Sequence, residues 1–266
     1  IRSLEELENL LSRIEVQVNS HKLIGIDAEW QGRHPQNKGS YLRCMQLGWN
    51  YGKAAVLHLS DNKGNWGLSD GVECSMQTHM KAMHMIRQAF DKNKYRVAGF
   101  YYQADHEWLS YYGLDLLDYY EAADAAEKCE FEGGFGVELA VNVYDELMRN
   151  NLEVVRWRFT NVHDYYFPFE KYRQWAIEYG RKQARGEDDE EEVKEMHEIG
   201  FGWIPDEDLF PYAGGDADVT VSAALEFCSR LHSDQFGNNL WRSFWISQRA
   251  APCCCEIMRT GMPVSL

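Results

Sequence analysis

Read for its alternation of apolar and polar positions, the chain opens with a helix. "SLEELENLLSRIE" carries apolar residues at helical spacing behind Ser3 and Glu6, the pair that forms a capping box. Three apolar segments follow: "KLIGIDAEW", "YLRCMQLGW" and "KAAVLHLS". A loop containing Gly, Pro and Asn from Gln31 to Ser40 separates the first two, and the turn-like "NYGK" separates the last two. They read as consecutive strands, neighbours of antiparallel hairpin type. "VECSMQTHMKAMHMIRQAFDK" has the length and spacing of an amphipathic helix, "YRVAGFYY" is a short strand, and "ADHEWLSYYGL" is a helix closed by Gly113. This order predicts an α/β domain with a mixed sheet flanked by helices.

From Leu117 to Pro205 the pattern loosens into an elaborated insertion. Helices are expected there at "GVELAVNVYDELMRN" and "FEKYRQWAIEYGRKQA", followed by the acidic run "EDDEEE" from Glu187 to Glu192, which reads as a solvated face or loop. The pattern tightens again at "DEDLFPYAGGDADVTVSAALEFCSRL", where apolar residues at 217, 221, 224, 225, 228 and 231 mark one face of a helix.

Composition narrows the class without naming a chemistry. A chain of 266 residues with 45% hydrophobic and 14% aromatic residues has ample material for a buried core. Its apolar runs fall short of the ~20 residues a membrane-spanning helix needs, so a soluble, intracellular protein is expected. Seven cysteines without a CxxC pair read as small apolar residues in a reducing compartment, the adjacent Cys253, Cys254 and Cys255 included. A net charge of −15 argues against nonspecific attraction to nucleic acid through the overall field. It leaves room for a nucleic-acid enzyme, because a site built from carboxylates recruits cations that reverse the local sign.

Acidic residues at the ends of apolar elements are the candidate chemistry. Asp27 and Glu29 alternate with Ala28, so within a strand both point to one face and repel unless a positive charge lies between them. The alternative is a strand that ends at Ile26 and leaves both acids solvated. Tyr212 and Asp216 are four apart, one turn from each other if their segment is helical, whereas Asp218 lies about 200° from Asp216. Asp105 sits at the start of a helix, as a cap or as a site residue.

The sequence DxE, then D, then YxxxD resembles the DEDD superfamily of 3′–5′ exonucleases, in the branch with a tyrosine in its third motif. The three motifs here are "GIDAEW", "VAGFYYQADHEWL" and "YAGGDADVT". The third looks most like the proofreading domain of family A DNA polymerases, related to bacterial DNA polymerase I. The resemblance covers residues 20–231 and implies a ribonuclease H-like fold. It implies Asp27, Glu29, Asp105 and Asp216 as metal-binding carboxylates and Tyr212 as the residue that orients the attacking water. Two divalent cations are implied, Mg²⁺ with Mn²⁺ as a substitute, because every proposed ligand atom is oxygen.

On this reading residues 1–235 form an exonuclease domain that shortens the 3′ end of single-stranded DNA. Residues 236–266 begin the connection to a polymerase domain of the same longer chain, where Pro252, Met258 and Gly261 resemble the linking segment of family A enzymes. Two features depart from that branch. Tyr101 stands where the family usually has asparagine, and Trp30 with "CMQLGW" looks closer to the Werner-type and RNase D branches. A free-standing exonuclease of that kind is the rival enzyme, and a vestigial fold that only supports a polymerase is the non-enzymatic rival. For nucleic acid, Trp30 and Tyr101 are candidate stacking platforms, with Tyr102 and Trp108 read as core, and Arg33, His34, Lys38 and Arg43 are candidate phosphate contacts.

Overall fold

The computed structural model describes residues 1–116, 134–172, 174, 200–231 and 240–260, with side chains described as far as residue 250. Five strands form one sheet in the order β3-β2-β1-β4-β5: β1 Leu23–Gln31, β2 Tyr41–Asn50, β3 Lys53–His58, β4 Arg96–Gly99 and β5 Phe135–Gly136. The first three run antiparallel as expected, and β4 and β5 add in parallel beside β1. Among the described residues, seven α-helices accompany them: α1 Leu4–Gln17, α2 Met76–Asn93, α3 Gln103–Tyr111, α4 Val137–Tyr144, α5 Leu152–Phe159, α6 Asp206–Arg230 and α7 Leu240–Thr260.

Local chemistry sets the ends of these elements. Ser3 Oγ accepts the Glu6 N–H at 3.2 Å, while the Glu6 carboxylate reaches back to the Arg2 N–H at 2.6 Å, so the reciprocal arm of the box falls one residue earlier than the sequence suggests. Ser75 caps α2 through the Thr78 N–H. Gly113, at φ 97°, ends the α3 turn as expected.

The sheet is covered on both faces. On one side α1, α2 and α3 bury Leu7, Ile14, Met83, Ile86 and Trp108 against β1 and β2. On the other, α4, α6 and the first turns of α7 share a core that includes Val141, Val221, Phe227, Trp241 and Phe244. The six apolar positions read along α6 are all buried: Ala217, Val221, Ala224, Leu225, Cys228 and Leu231.

Two glycines let α6 lie directly on the strands. Gly25 on β1 pairs with Gly48 on β2, and a Cβ at either would meet the Ala217 carbonyl oxygen, at 2.7 Å from Gly25 and 2.4 Å from Gly48. A side chain at either position would lift the helix off the sheet.

The loosely patterned region departs from its expected form. The helix expected over "GVELAVNVYDELMRN" stops at Tyr144, because Asp145 adopts an extended backbone. A separate α5 then begins behind Asn151, whose side chain accepts the Val154 N–H at 2.8 Å. Before α4, the two residues of β5 add a strand too short to leave an alternation pattern. A short 3₁₀ turn spans Phe167–Phe169. Most of "FEKYRQWAIEYGRKQA" and all of Glu187–Glu192 lie outside the described residues. Among those described, no helix is long and apolar enough to cross a membrane.

Candidate active site

Strand β1 does not end at Ile26. It runs through both acids to Gln31, so Asp27 and Glu29 share the face on which α6 sits. The glycine contact at Ala217 brings the preceding residue, Asp216, against them. One carboxylate oxygen from each of Asp27, Glu29 and Asp216 lies within 4.8 Å of the others. Asp105 approaches from α3, and its Oδ1 accepts the Ala28 N–H at 3.1 Å, between the two strand acids. Asp105 thus spends its carboxylate on β1 rather than as the N-cap of its own helix, a position held by Tyr102 without a side-chain bond.

Tyr212 lies one turn before Asp216 on α6, its ring stacked on Phe169 with centroids 3.9 Å apart. Burial first, then the Asp216 and Glu29 carboxylates, hold its phenol well above the usual tyrosine range. In the metal-free protein it is therefore a neutral hydrogen-bonding group, and its hydroxyl engages Asp216.

The electrostatics of the acids follow from crowding in a buried site. Burial, then Asp105, Glu29 and Asp216, raises Asp27 well above the carboxylate range. Burial, then Asp216 and Asp105, does the same to Glu29. Asp105 is pushed up to about 8, mainly by burial. Asp216 reaches only about 6, because the Tyr165, Tyr212 and Tyr166 hydroxyls favour its charged form against burial. Asp27 Oδ2 is sequestered without a hydrogen-bond partner, although the residue as a whole keeps some exposure. Three close carboxylates with an orphaned buried oxygen fit a divalent cation, and an all-oxygen donor set suits a hard one.

The other sequence candidates divide. Arg43 is no phosphate contact: its side chain is fully buried, and its guanidinium donates to the Ser60 and Ile204 carbonyls and to Asp206 Oδ1 at 2.6, 2.8 and 2.9 Å. The cause is a bulge where the register steps from Glu29↔Cys44 to Trp30↔Leu42, leaving Arg43 as the extra residue. Arg33 and Lys38 are exposed on the loop after β1, and His34 bonds Glu107 on α3 at 2.8 Å. Trp30 has one ring face on the buried Trp108, 5.3 Å between centroids, which leaves it half-buried. Tyr101 is 50% exposed and adopts φ 56° at the turn into α3.

Three residues near the acids leave no signal in motif spacing. Tyr165 and Tyr166 donate to Asp216 Oδ1 at 2.5 and 3.3 Å. Glu138, at the start of α4, is 2% exposed and raised to about 7 by burial, and its charge in turn raises Asp105. Neither of its oxygens closes a full hydrogen bond, although the Tyr101 amide lies near enough to draw its pKa back down.

The mixed five-stranded sheet, helices on both faces and acids on its central strand define a ribonuclease H-like α/β fold. Among solved structures, the chain is similar to the catalytic core of RRP6 from Trypanosoma brucei in a cysteine-to-serine mutant. That match has a TM-score of 0.51 and 13% identity over 94% of this chain and 50% of the other. A second structure of the same core gives 0.48 and 11% with the same coverage. The chain thus spans half the length of the structures it matches. No protein-family model and no curated protein matches it.

Proposed function

We propose that this chain is a metal-dependent 3′–5′ exonuclease acting on a single-stranded nucleic-acid end. The observation that carries the reading is the trio Asp27, Glu29 and Asp216, two buried carboxylates and one partly buried, with one oxygen from each within 4.8 Å of the others, where α6 crosses a ribonuclease H-like sheet. Such a cluster is costly to keep ionised without a cation. The order of the three motifs and the fold shared with the RRP6 catalytic core support the same reading.

Asp27, Glu29 and Asp216 would hold one divalent cation, and Asp27 with Asp105 a second; Mg²⁺ is the natural occupant and Mn²⁺ its substitute. Such a pair supplies an activated water and neutralises charge on the attacked phosphate. The chain's own residues do the rest. The Ala28 amide fixes Asp105 against the strand. Tyr212, held neutral and braced by Phe169, hydrogen-bonds the attacking water and sets its line of approach. Exposed Tyr101 offers a face on which a terminal base can stack.

For the substrate, we favour terminal deoxynucleotides, with the chain as the proofreading part of a family A polymerase. That finer reading rests on "YAGGDADVT" and on the tail around Pro252, Met258 and Gly261. A free-standing exonuclease of RNase D type is the second reading, favoured by Trp30, "CMQLGW" and the fold likeness to the RRP6 core. Matched 5′-labelled DNA and RNA single strands, incubated with Mg²⁺, Mn²⁺ or chelator, test both. A metal-dependent ladder shortening from the 3′ end, absent in Asp27→Ala/Glu29→Ala, is expected. Preference for DNA sustains the proofreading reading, preference for RNA replaces it with the second, and no shortening of either strand overturns both.

A further inference from the structure

Asp216 is the acid of the cluster most heavily engaged by side chains of its own chain. Its Oδ1 accepts two phenolic hydroxyls, Tyr165 at 2.5 Å and Tyr166 at 3.3 Å. The two rings stack at 4.7 Å with 26° between their planes, so they form one unit. Tyr166 also meets the Tyr212 ring edge-on at 5.5 Å. The segment that carries them is tied to α5 and braced by a local turn. Arg156 on α5 donates to the Val162 carbonyl at 3.3 Å, and Asp164 accepts the Tyr166 N–H at 3.0 Å.

The third motif is shaped to receive this unit. A Cβ on Gly215, next to Asp216, would lie 2.3 Å from the Tyr165 ring. Only a residue without a side chain lets that ring lie flat on α6 at the height where its hydroxyl reaches Oδ1. Gly215 and Tyr165, fifty residues apart in sequence, are thus two halves of one contact.

We propose that Tyr165 and Tyr166 are positioning residues that fix the Asp216 carboxylate for cation binding, with Gly215 as their seat. Two donors on Oδ1, with the Tyr212 hydroxyl as a further donor to the carboxylate, stop it from rotating and set the direction in which its remaining lone pairs face the cation. The inference rests on the reading of Asp216 as a cation ligand. It predicts a role in metal affinity for residues that touch neither cation nor substrate.

The test titrates Mn²⁺ alone into the full chain, read by electron paramagnetic resonance of the free ion, with no nucleic acid present. Tyr165→Phe and Tyr166→Phe keep the rings and remove the hydroxyls; Gly215→Ala keeps the hydroxyls and removes the seat. The double phenylalanine variant is expected to weaken Mn²⁺ about 10–100-fold, Tyr165→Phe more than Tyr166→Phe, and Gly215→Ala is expected to reproduce the loss. Circular dichroism confirms that each variant is folded, and a purely structural role would move the melting temperature without moving the affinity. Unchanged or tighter Mn²⁺ binding in the folded double variant overturns the proposal and leaves the exonuclease reading standing. No Mn²⁺ binding by the parent chain overturns both.

Discussion

Two clusters of charge lie along β2 and the end of β1, and they are solved in opposite ways. Around Arg43 the charge is met from within: two carbonyls and Asp206 accept from its two terminal nitrogens, with only Nε left over, and His58 lies 3.4 Å from the same Asp206. Around Asp27 the fold supplies one sign only. Its neighbours are Glu29, Asp105 and Asp216, and its Oδ2 has no partner. A charge that serves the fold is neutralised by the fold, whereas one that serves a ligand is left for the ligand. The register step at Glu29 separates the two, turning Arg43 away from the acids beside it in the strand pair.

Removing charge from each cluster should therefore have opposite consequences. Asp27→Ala/Glu29→Ala is expected to abolish metal-dependent 3′ shortening, read on a labelled strand. Its metal-free melting temperature should stay level or rise, because two repelling carboxylates are gone. Arg43→Met is expected to cost about 1–3 kcal/mol in denaturant unfolding, since it leaves the buried Ser60 and Ile204 carbonyls without their donor, while Asp206, 23% exposed, keeps Arg2. A harmless Arg43→Met would remove the contrast between the clusters.

A backbone change sharpens the same comparison. Gly48→Ala forces α6 away from β2 and is expected to cost about 1–3 kcal/mol by overpacking. It should also weaken Mn²⁺ binding, because Asp216 moves with the helix while Asp27 stays on the strand. Loss of stability with unchanged Mn²⁺ affinity would show that the acids do not depend on that contact.

The narrowest test is a pH dependence confined to the acidic cluster. In the metal-free protein Asp105 and Asp216 are raised to about 8 and about 6. Unfolded aspartates titrate near ~4, so the folded state holds protons that the unfolded state has released. The resulting stabilisation is full below pH ~4 and is lost as pH rises through 6 and then 8. Melting temperature without metal should fall from pH 5 to pH 9, and the increment added by Mg²⁺ should grow over the same range. An increment that shrinks with pH would contradict the assignment of these acids to the cation.

What the sequence revealed and what it hid follow from how far each signal reaches along the chain. The acids of β1 and α6 were legible because each pair lies within one element, at a spacing that fixes its face. The three hairpin-linked strands were legible for the same reason, whereas β5, two residues long, carries no alternation. Arg43 was misread because a bulge is invisible in composition: as a basic residue just beyond a polar loop it looked exposed, and one extra residue in β2 buried it. Tyr165 and Tyr166 could not be assigned because their partner is about fifty residues away, and the one trace of the contact was a glycine pair inside a motif already read for its acids.

The contact of Ala217 with Gly25 and Gly48 works as a mechanical stop. Side chains at a helix–sheet interface can exchange rotamers and let the two bodies drift by fractions of an ångström, but backbone against backbone has no such slack. The gap between the strand acids and Asp216 is therefore gauged by main-chain atoms, and substitutions elsewhere in the core can be absorbed without changing it.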